Sequence, residues 1–340
     1  MKNMSDASIL INDILEGRRQ FPKPTDLDLA LDGVSPYYVG DRETKEIVAY
    51  ARAIFDPEKP DRTAVPIMCL AKSGLGKTKF LEGLAFSMGA DLIGANDLTG
   101  AGLGMVKDGY VVSANFSHVL GVDEIEKYES KHIHEALLPL AEAEKKLRVR
   151  HAIKFLRDTG VLMIGVCLRN LGELKDQGGQ SQRRVHAIEQ LFRRCVLLKL
   201  EASQPEDQDE YTRLVIGQTK YIYGQHRHNT PQGNTRLEEY GKLFIASEVG
   251  KALLKKLHRT FSFEDEKWTF QHLQEATRGF FIGDDVEWGR KMQRNLILLA
   301  AGKALTRGEI VIKKEDLERV SSILIGHAKD LGYWKFPLVP

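Results

Sequence analysis

The sequence predicts an α/β fold: a parallel sheet packed between helices over residues 37–203, preceded by an N-terminal helix and linker over 1–36 and followed by a helical lid region over 204–340. Three observations predict it. Short apolar runs recur at 65–70, 118–124, 161–168 and 196–200, each the length of a strand buried on both faces. Helical patterns separate these runs, which implies parallel strands joined by crossovers. Near residue 201 the composition shifts: residues 201–210 carry acids and no bases, with Pro205 among them, and the pattern beyond is mostly helical.

Each element has a local reason. Residues 1–19 carry a modest amphipathic pattern (Ile9, Leu10, Ile14, Leu15), a short helix that pads the core or meets a neighbouring subunit, and residues 21–24 form a proline-containing linker. A helix over 43–55 follows Asp41, a residue type whose carboxylate caps helix N-termini. Pro57 and Pro60 break the chain before the first strand. A helix over 79–88 and a short strand over 91–94 come next, and Gly100, Gly102, Gly104 and Gly109 make the following segment loop-rich. A helix over 131–146 buries Ile133, Leu137 and Leu140, and one over 187–194 ends in Arg193 and Arg194. Beyond the boundary, helices are expected over 208–223, 247–258, 269–278, 285–303 and 314–329, the fourth capped by Asp284 or Asp285, with a loop over 224–235. His226 and His228 in that loop have no third ligand at zinc spacing.

Composition narrows the classes. Lys+Arg (49) and Asp+Glu (47) nearly balance, so overall charge does not argue for nucleic acid. Cys69, Cys167 and Cys195 lie far apart in apolar runs, without disulfide or zinc spacing, which suits a reducing cytoplasm. No apolar run approaches membrane-spanning length, so no membrane partner is expected.

The chemistry is concentrated at two strand ends. After the run 65–70 come Ser73, Gly74, Leu75, Gly76, Lys77, Thr78 and Lys79, then a helix. Strand, glycine turn, Lys-Thr and helix together make a phosphate-binding loop, in which backbone N–H groups and the helix N-terminus form an anion cradle. Lys77 reaches the terminal phosphates and the Thr78 hydroxyl is a Mg²⁺ ligand. Ala71 stands where the pattern G-x-x-x-x-G-K-[ST] has its first glycine. The run 118–124 ends in Asp123 and Glu124. Carboxylates at a strand end beside such a loop suit two tasks: Asp123 holding Mg²⁺ through water, and Glu124 orienting the attacking water. The segment with Lys145, Lys146, Arg148, Arg150, Lys154 and Arg157 is basic, either a solvated face or a set of candidate DNA phosphate contacts.

Over residues 37–330 these motifs resemble the AAA+ ATPase superfamily, whose core is a P-loop NTPase sandwich followed by a helical lid. Within it the chain is similar to the bacterial Holliday-junction branch-migration motor, through Tyr38, Val39 and Gly40 before a helix, the loop at 73–78, residues 121–125 and the strand from Met163 to Arg169. The resemblance implies ATP and Mg²⁺ bound at the interfaces of a homo-oligomeric ring, usually a hexamer, with Tyr38 and Val39 on the adenine side. It implies an arginine finger from the neighbouring subunit, matched best by Arg194 with Arg193 as the alternative. It implies a polar sensor at the end of the third core strand, where this chain has Cys167 and Leu168, with Asn170 two residues later. It also implies a second sensor arginine in the lid, matched by Arg290 with Arg278 as the alternative. The motor carries a DNA-gripping domain after its lid, and no such domain is expected in these 340 residues.

Two function classes follow from the resemblance. One is a motor or loader on nucleic acid. The other is a protein-remodelling ATPase, whose pore loop would be residues 102–106 with Tyr110 nearby, or a slow ATP-dependent assembly switch.

Overall fold

A computed structural model describes residues 9, 11–20, 23–72, 74–93, 106–107, 110–111, 119–142, 162–167, 182–201, 208–220, 231–256, 260–280 and 287–334. The architecture is mixed α/β around a parallel five-stranded sheet. Its strands are β1 (Ile67–Leu70), β2 (Asp91–Ile93), β3 (Val119–Val122), β4 (Leu162–Cys167) and β5 (Val196–Lys199), in the order β2-β3-β4-β1-β5. Ile67 lies opposite Ile164 on one side and Val196 on the other, so β1 is a central strand. Every β1 residue is buried, which is why its sequence is a continuous apolar run rather than an alternating one.

The helices of the first region are α1 (Leu27–Asp32), α2 (Arg42–Ile54), α3 (Lys77–Met88) and α4 (Gln182–Phe192). Residues 130–141 are helical and include a π-helical turn, Ile133–Leu137. Beyond β5 come α5 (Gln208–Lys220), α6 (Pro231–Lys256), α7 (Glu266–Thr277), α8 (Glu287–Thr306) and α9 (Lys314–Asp330). A short parallel pair, Ser262–Phe263 with Val311–Ile312, joins the entrances to α7 and α9. Among the described residues no helix is long and apolar enough to cross a membrane.

One apolar cluster runs through both regions, from Phe55, Met68, Phe80 and Leu198 to Leu296, Leu299 and Leu324. Helix α8 lies along α2 so closely that a Cβ at Gly302 would stand 2.1 Å from the Tyr50 carbonyl oxygen. Arg319 of α9 grips Glu46 of α2 through Nε at 3.0 Å and Nη2 at 2.9 Å.

Three local expectations are corrected. Asp41 precedes α2 but does not cap it: at φ 51° its carboxylate turns away from the helix N–H groups and accepts from the Tyr38 hydroxyl and, at 2.8 Å, from the Glu201 N–H. Helix α6 begins at Pro231, inside the expected loop, rather than near residue 247. Proline at a first helical position gives up an N–H that would have no partner there. Gly250 lets α6 meet α8, since a Cβ there would lie 2.6 Å from Leu305, so packing overrides the low helix propensity of glycine. Helix α4 ends at Phe192, which leaves Arg193 and Arg194 in the turn before β5.

Candidate active site

The loop after β1 takes its shape from Gly74 (φ 87°) and Gly76 (φ 74°), whose left-handed backbone a side chain would strain. Ala71 has no positive φ, so its methyl group is conformationally free of strain at the irregular position of the motif. Helix α3 begins at Lys77 with no side-chain cap and no acid in its first turn. Its first N–H groups and the positive end of its dipole therefore face outward toward the loop, ready for an anion. Lys77 is buried to 6% exposure, and its Nζ donates to the Lys72 carbonyl at 3.3 Å, which folds the ammonium back over the loop. Lys79, two residues on, pairs with Glu82 at 2.6 Å and points to solvent. Ser73 lies outside the described residues.

Strand β3 brings the carboxylates to this loop across the intervening β4. The Thr78 hydroxyl donates to Asp123 Oδ2 at 2.9 Å, and Asp123 Oδ1 accepts from the Glu124 N–H at 2.8 Å. Glu124 adopts φ 52°, a left-handed conformation that costs a non-glycine residue about 1 kcal/mol or more. The next residue holds the turn: Ile125 is fully buried against Gly165 of β4, where a Cβ would stand 2.2 Å from Ile125 Cδ1. The Glu124 carboxylate pairs with Lys127 at 2.5 Å.

The donor set at Thr78 and Asp123 is one hydroxyl and one carboxylate, both hard oxygens. That suits Mg²⁺, which takes one or two protein oxygens and completes its octahedron with phosphate and water. Among the described residues no group of three or more His, Cys, Asp or Glu is placed to hold a metal by protein ligands alone.

The opposite wall is a strap over residues 34–40. The Tyr38 ring packs edge-on against Phe80 of α3, with centroids 5.3 Å apart. A Cβ at Gly76 would meet Tyr38 Cε2 at 3.2 Å, so the ring closes directly over the loop. The Tyr38 hydroxyl rests on the Asp41 carboxylate, 3.4 Å from the Leu75 carbonyl, and Val39 is buried beside it. Burial pushes the Asp41 carboxyl above the usual range, against the opposing pull of the Tyr38 hydroxyl and the Glu201 N–H. Asp41 and Glu124 are the non-glycine residues of positive φ among the described residues, and both stand at this site.

The arginines lie elsewhere. Arg194 precedes β5, which runs parallel to β1, so it stands at the end of the sheet opposite its own chain's loop. Its Nε donates to Glu142 Oε1 at 2.5 Å and its Nη1 to the Gln190 carbonyl at 2.7 Å. Arg193 pairs with Glu189 at 3.4 Å. The start of α8, which carries Arg290, does not stand at the loop of the same chain. Arg294 of α8 donates to the carbonyls of Ala64 (3.3 Å) and Asp61 (3.1 Å), ahead of β1 and away from the loop. Arg290 lies about one turn farther toward the start of α8, beyond the same end of β1. Arg278 follows Thr277, which Gln293 of α8 contacts at 3.1 Å, and so lies on that side too. The reason is the pairing of α8 with α2, which sets the start of α8 beside the far end of the sheet. Cys167 ends β4, while Leu168, Asn170, residues 102–105 and the basic residues Lys145, Lys146, Arg148, Arg150, Lys154 and Arg157 lie outside the described residues.

Sequence reasoning missed Lys45 and Lys127. Lys45 is fully buried beneath the strap; its one signal is a lysine set in the apolar stripe with Val48 and Ala49. Lys127 carries the ordinary i,i+3 pairing signal with Glu124. No family model matches the chain, and no curated protein matches it.

Proposed function

We propose that the chain is a Mg²⁺-dependent ATP hydrolase with a P-loop NTPase core of the AAA+ type, working as a homo-oligomeric ring that moves on or loads onto nucleic acid. One observation carries the hydrolase reading: the hydroxyl of Thr78 meets the carboxylate of Asp123 at 2.9 Å beside an uncapped helix N-terminus. In this reading the N–H groups at the start of α3 and the Lys77 ammonium hold the phosphates. Thr78 and Asp123 hold Mg²⁺, which when bound neutralises charge on the phosphate oxygens. Glu124, next to the Asp123 carboxylate, exchanges Lys127 for the attacking water and orients it. Tyr38 and Val39 border the base. Arg194 of a neighbouring copy leaves Glu142 and offers its guanidinium to the transferring phosphoryl group.

The near balance of 49 basic and 47 acidic residues favours a second reading, in which the ring remodels a protein instead. An ATPase assay with and without single- and double-stranded DNA at low salt, run beside mass photometry with ATP, separates them. Stimulation that fades steeply with salt is the expected result for a nucleic-acid motor. A rate that no nucleic acid changes removes that substrate class and leaves the protein remodeller or the assembly switch. Absence of ATP binding and turnover overturns the hydrolase reading altogether.

A further inference from the structure

The strap that carries Tyr38 is held by charges in the interior. Lys45 Nζ, fully buried, donates to Asp32 Oδ1 at 2.6 Å and to the Tyr38 carbonyl at 2.8 Å. Arg236 of α6, exposed to 3%, donates from Nη1 to the Pro36 carbonyl at 2.9 Å, meets the Glu210 carboxylate of α5 and stands 3.6 Å from Asp32 Oδ2. Two carbonyls two residues apart are thus each met by a buried cation, and both cations share one carboxylate. On its other face the strap is tied to α3: Ser35 Oγ donates to the Phe80 carbonyl at 3.0 Å and Ser87 Oγ to the Val34 carbonyl at 2.5 Å. Gly83 makes room for this contact, since a Cβ there would stand 2.1 Å from Ser35 Oγ.

Burying an ammonium and a guanidinium is costly unless each is paired and its donors are used. An apolar contact would suffice to anchor a passive loop. This one spends two buried charges on fixing the two carbonyls that set where Tyr38 lies over Gly76. We infer that Lys45, Asp32 and Arg236 are positioning residues for the base end of the nucleotide site, a clamp that holds the Tyr38 strap closed and ties its position to α6. The inference rests on the ATP-binding reading of the loop and deepens it: the phosphate end is built by the loop itself, and the base end by this clamp.

The test compares two ligands on the full chain, ATP and inorganic tripolyphosphate, the second lacking any base to meet the strap. For Lys45→Met, affinity for ATP falls roughly tenfold, the scale of one charged hydrogen bond left unmet. Affinity for tripolyphosphate stays unchanged. The KM for ATP rises in step while kcat at saturation is retained. Arg236→Lys, which keeps the charge and gives up the guanidinium fork, shifts ATP affinity in the same direction by less. Equal losses for both ligands, or no loss for either, overturn the clamp. Should Lys45→Met fail to fold, Arg236→Lys is read with the same pair of ligands and the same criterion. If the unsubstituted chain binds neither ligand, the loop reading fails, an outcome distinct from a wild type that binds both and a variant that shows no split.

Discussion

The charges around the phosphate loop and the charges behind the strap and beneath α9 are held in opposite ways. Near the loop, Glu124 pairs with Lys127 three residues on, its side chain 35% exposed, and Lys77 leans on the carbonyl of Lys72. Arg194, at the far end of the sheet, is likewise partly open and leans on Glu142. In the interior, Lys45 meets Asp32, Asp316 meets Arg307 at 2.7 Å and Lys303 at 3.2 Å, and Glu46 meets Arg319. Lys45 and Asp316 are fully buried, and Glu46 nearly so. Partly exposed pairs contribute about 0–1 kcal/mol, whereas removing one member of a buried pair costs about 3–5 kcal/mol. The first set can change partners for a ligand at little cost; the second fixes the frame. Substitutions in the first set should therefore change activity and leave stability alone, those beneath α9 should do the reverse, and Lys45, which also positions the Tyr38 strap, should lower both stability and ATP affinity.

The sharpest case is Lys77→Ala, expected to abolish ATP binding or turnover without moving the melting temperature, as read by nucleotide titration beside thermal unfolding. Glu124→Gln comes next: turnover falls about 10²–10⁴-fold, while ATP affinity and ATP-dependent assembly persist. An unchanged rate in that variant would remove Glu124 from water positioning. On the other side of the comparison, Asp316→Ala leaves Arg307 and Lys303 without their carboxylate and lowers unfolding stability by about 3 kcal/mol in urea titrations, with ATP affinity intact. A large loss of ATP affinity there would blur the division.

The last effect is graded with pH. His327 of α9 accepts the Lys199 N–H on Nδ1 at 3.1 Å, and burial pushes its pKa down to about 4 from its usual 6.5. The unfolded chain therefore takes up this proton before the folded one does. The contribution of neutral His327 is complete above pH 6.5 and is lost as pH falls from 6.5 toward 4, amounting to at most about 3 kcal/mol. His327→Asn keeps an acceptor without a titrating group and should flatten stability across that window; an unchanged slope would place the acid sensitivity elsewhere.

The strands were legible because each is an apolar run closed by turn residues, and a sheet covered on both faces needs nothing more subtle. The loop and its carboxylates were legible because the backbone geometry there demands glycine, Lys-Thr and a strand end in fixed order. What escaped was long-range or competed with local signals. Pro231 and Gly233 read as part of a loop, yet they lie within one helix, Pro231–Lys256, whose packing on α8 outweighs their propensity. Asp41 has the chemistry of a cap, but its positive φ aims it at Tyr38 and Glu201. Arg290 has the spacing of a lid arginine, but spacing does not say at which end of the sheet a helix will start. Lys45 was hidden because its partners, Asp32 and the Tyr38 carbonyl, are identified only by the fold.

The position of β1 between β4 and β5 also bears on how the chain acquires its structure. The residues that flank Ile67 are Ile164 and Val196, and the helix that covers α2 starts only at Glu287. During synthesis the loop motif emerges early, yet the strand beneath it gains its second neighbour only after residue 196 has been made. Contacts of such sequence separation close slowly, because loop-closure entropy is lost before the contacts form. Until then β1, a wholly apolar strand, keeps at least one edge open, the kind of surface that recruits chaperones or pairs wrongly with another chain. Nascent chains stalled before residue 196 should be protease-sensitive throughout the loop region, and protection should arrive there in one late step.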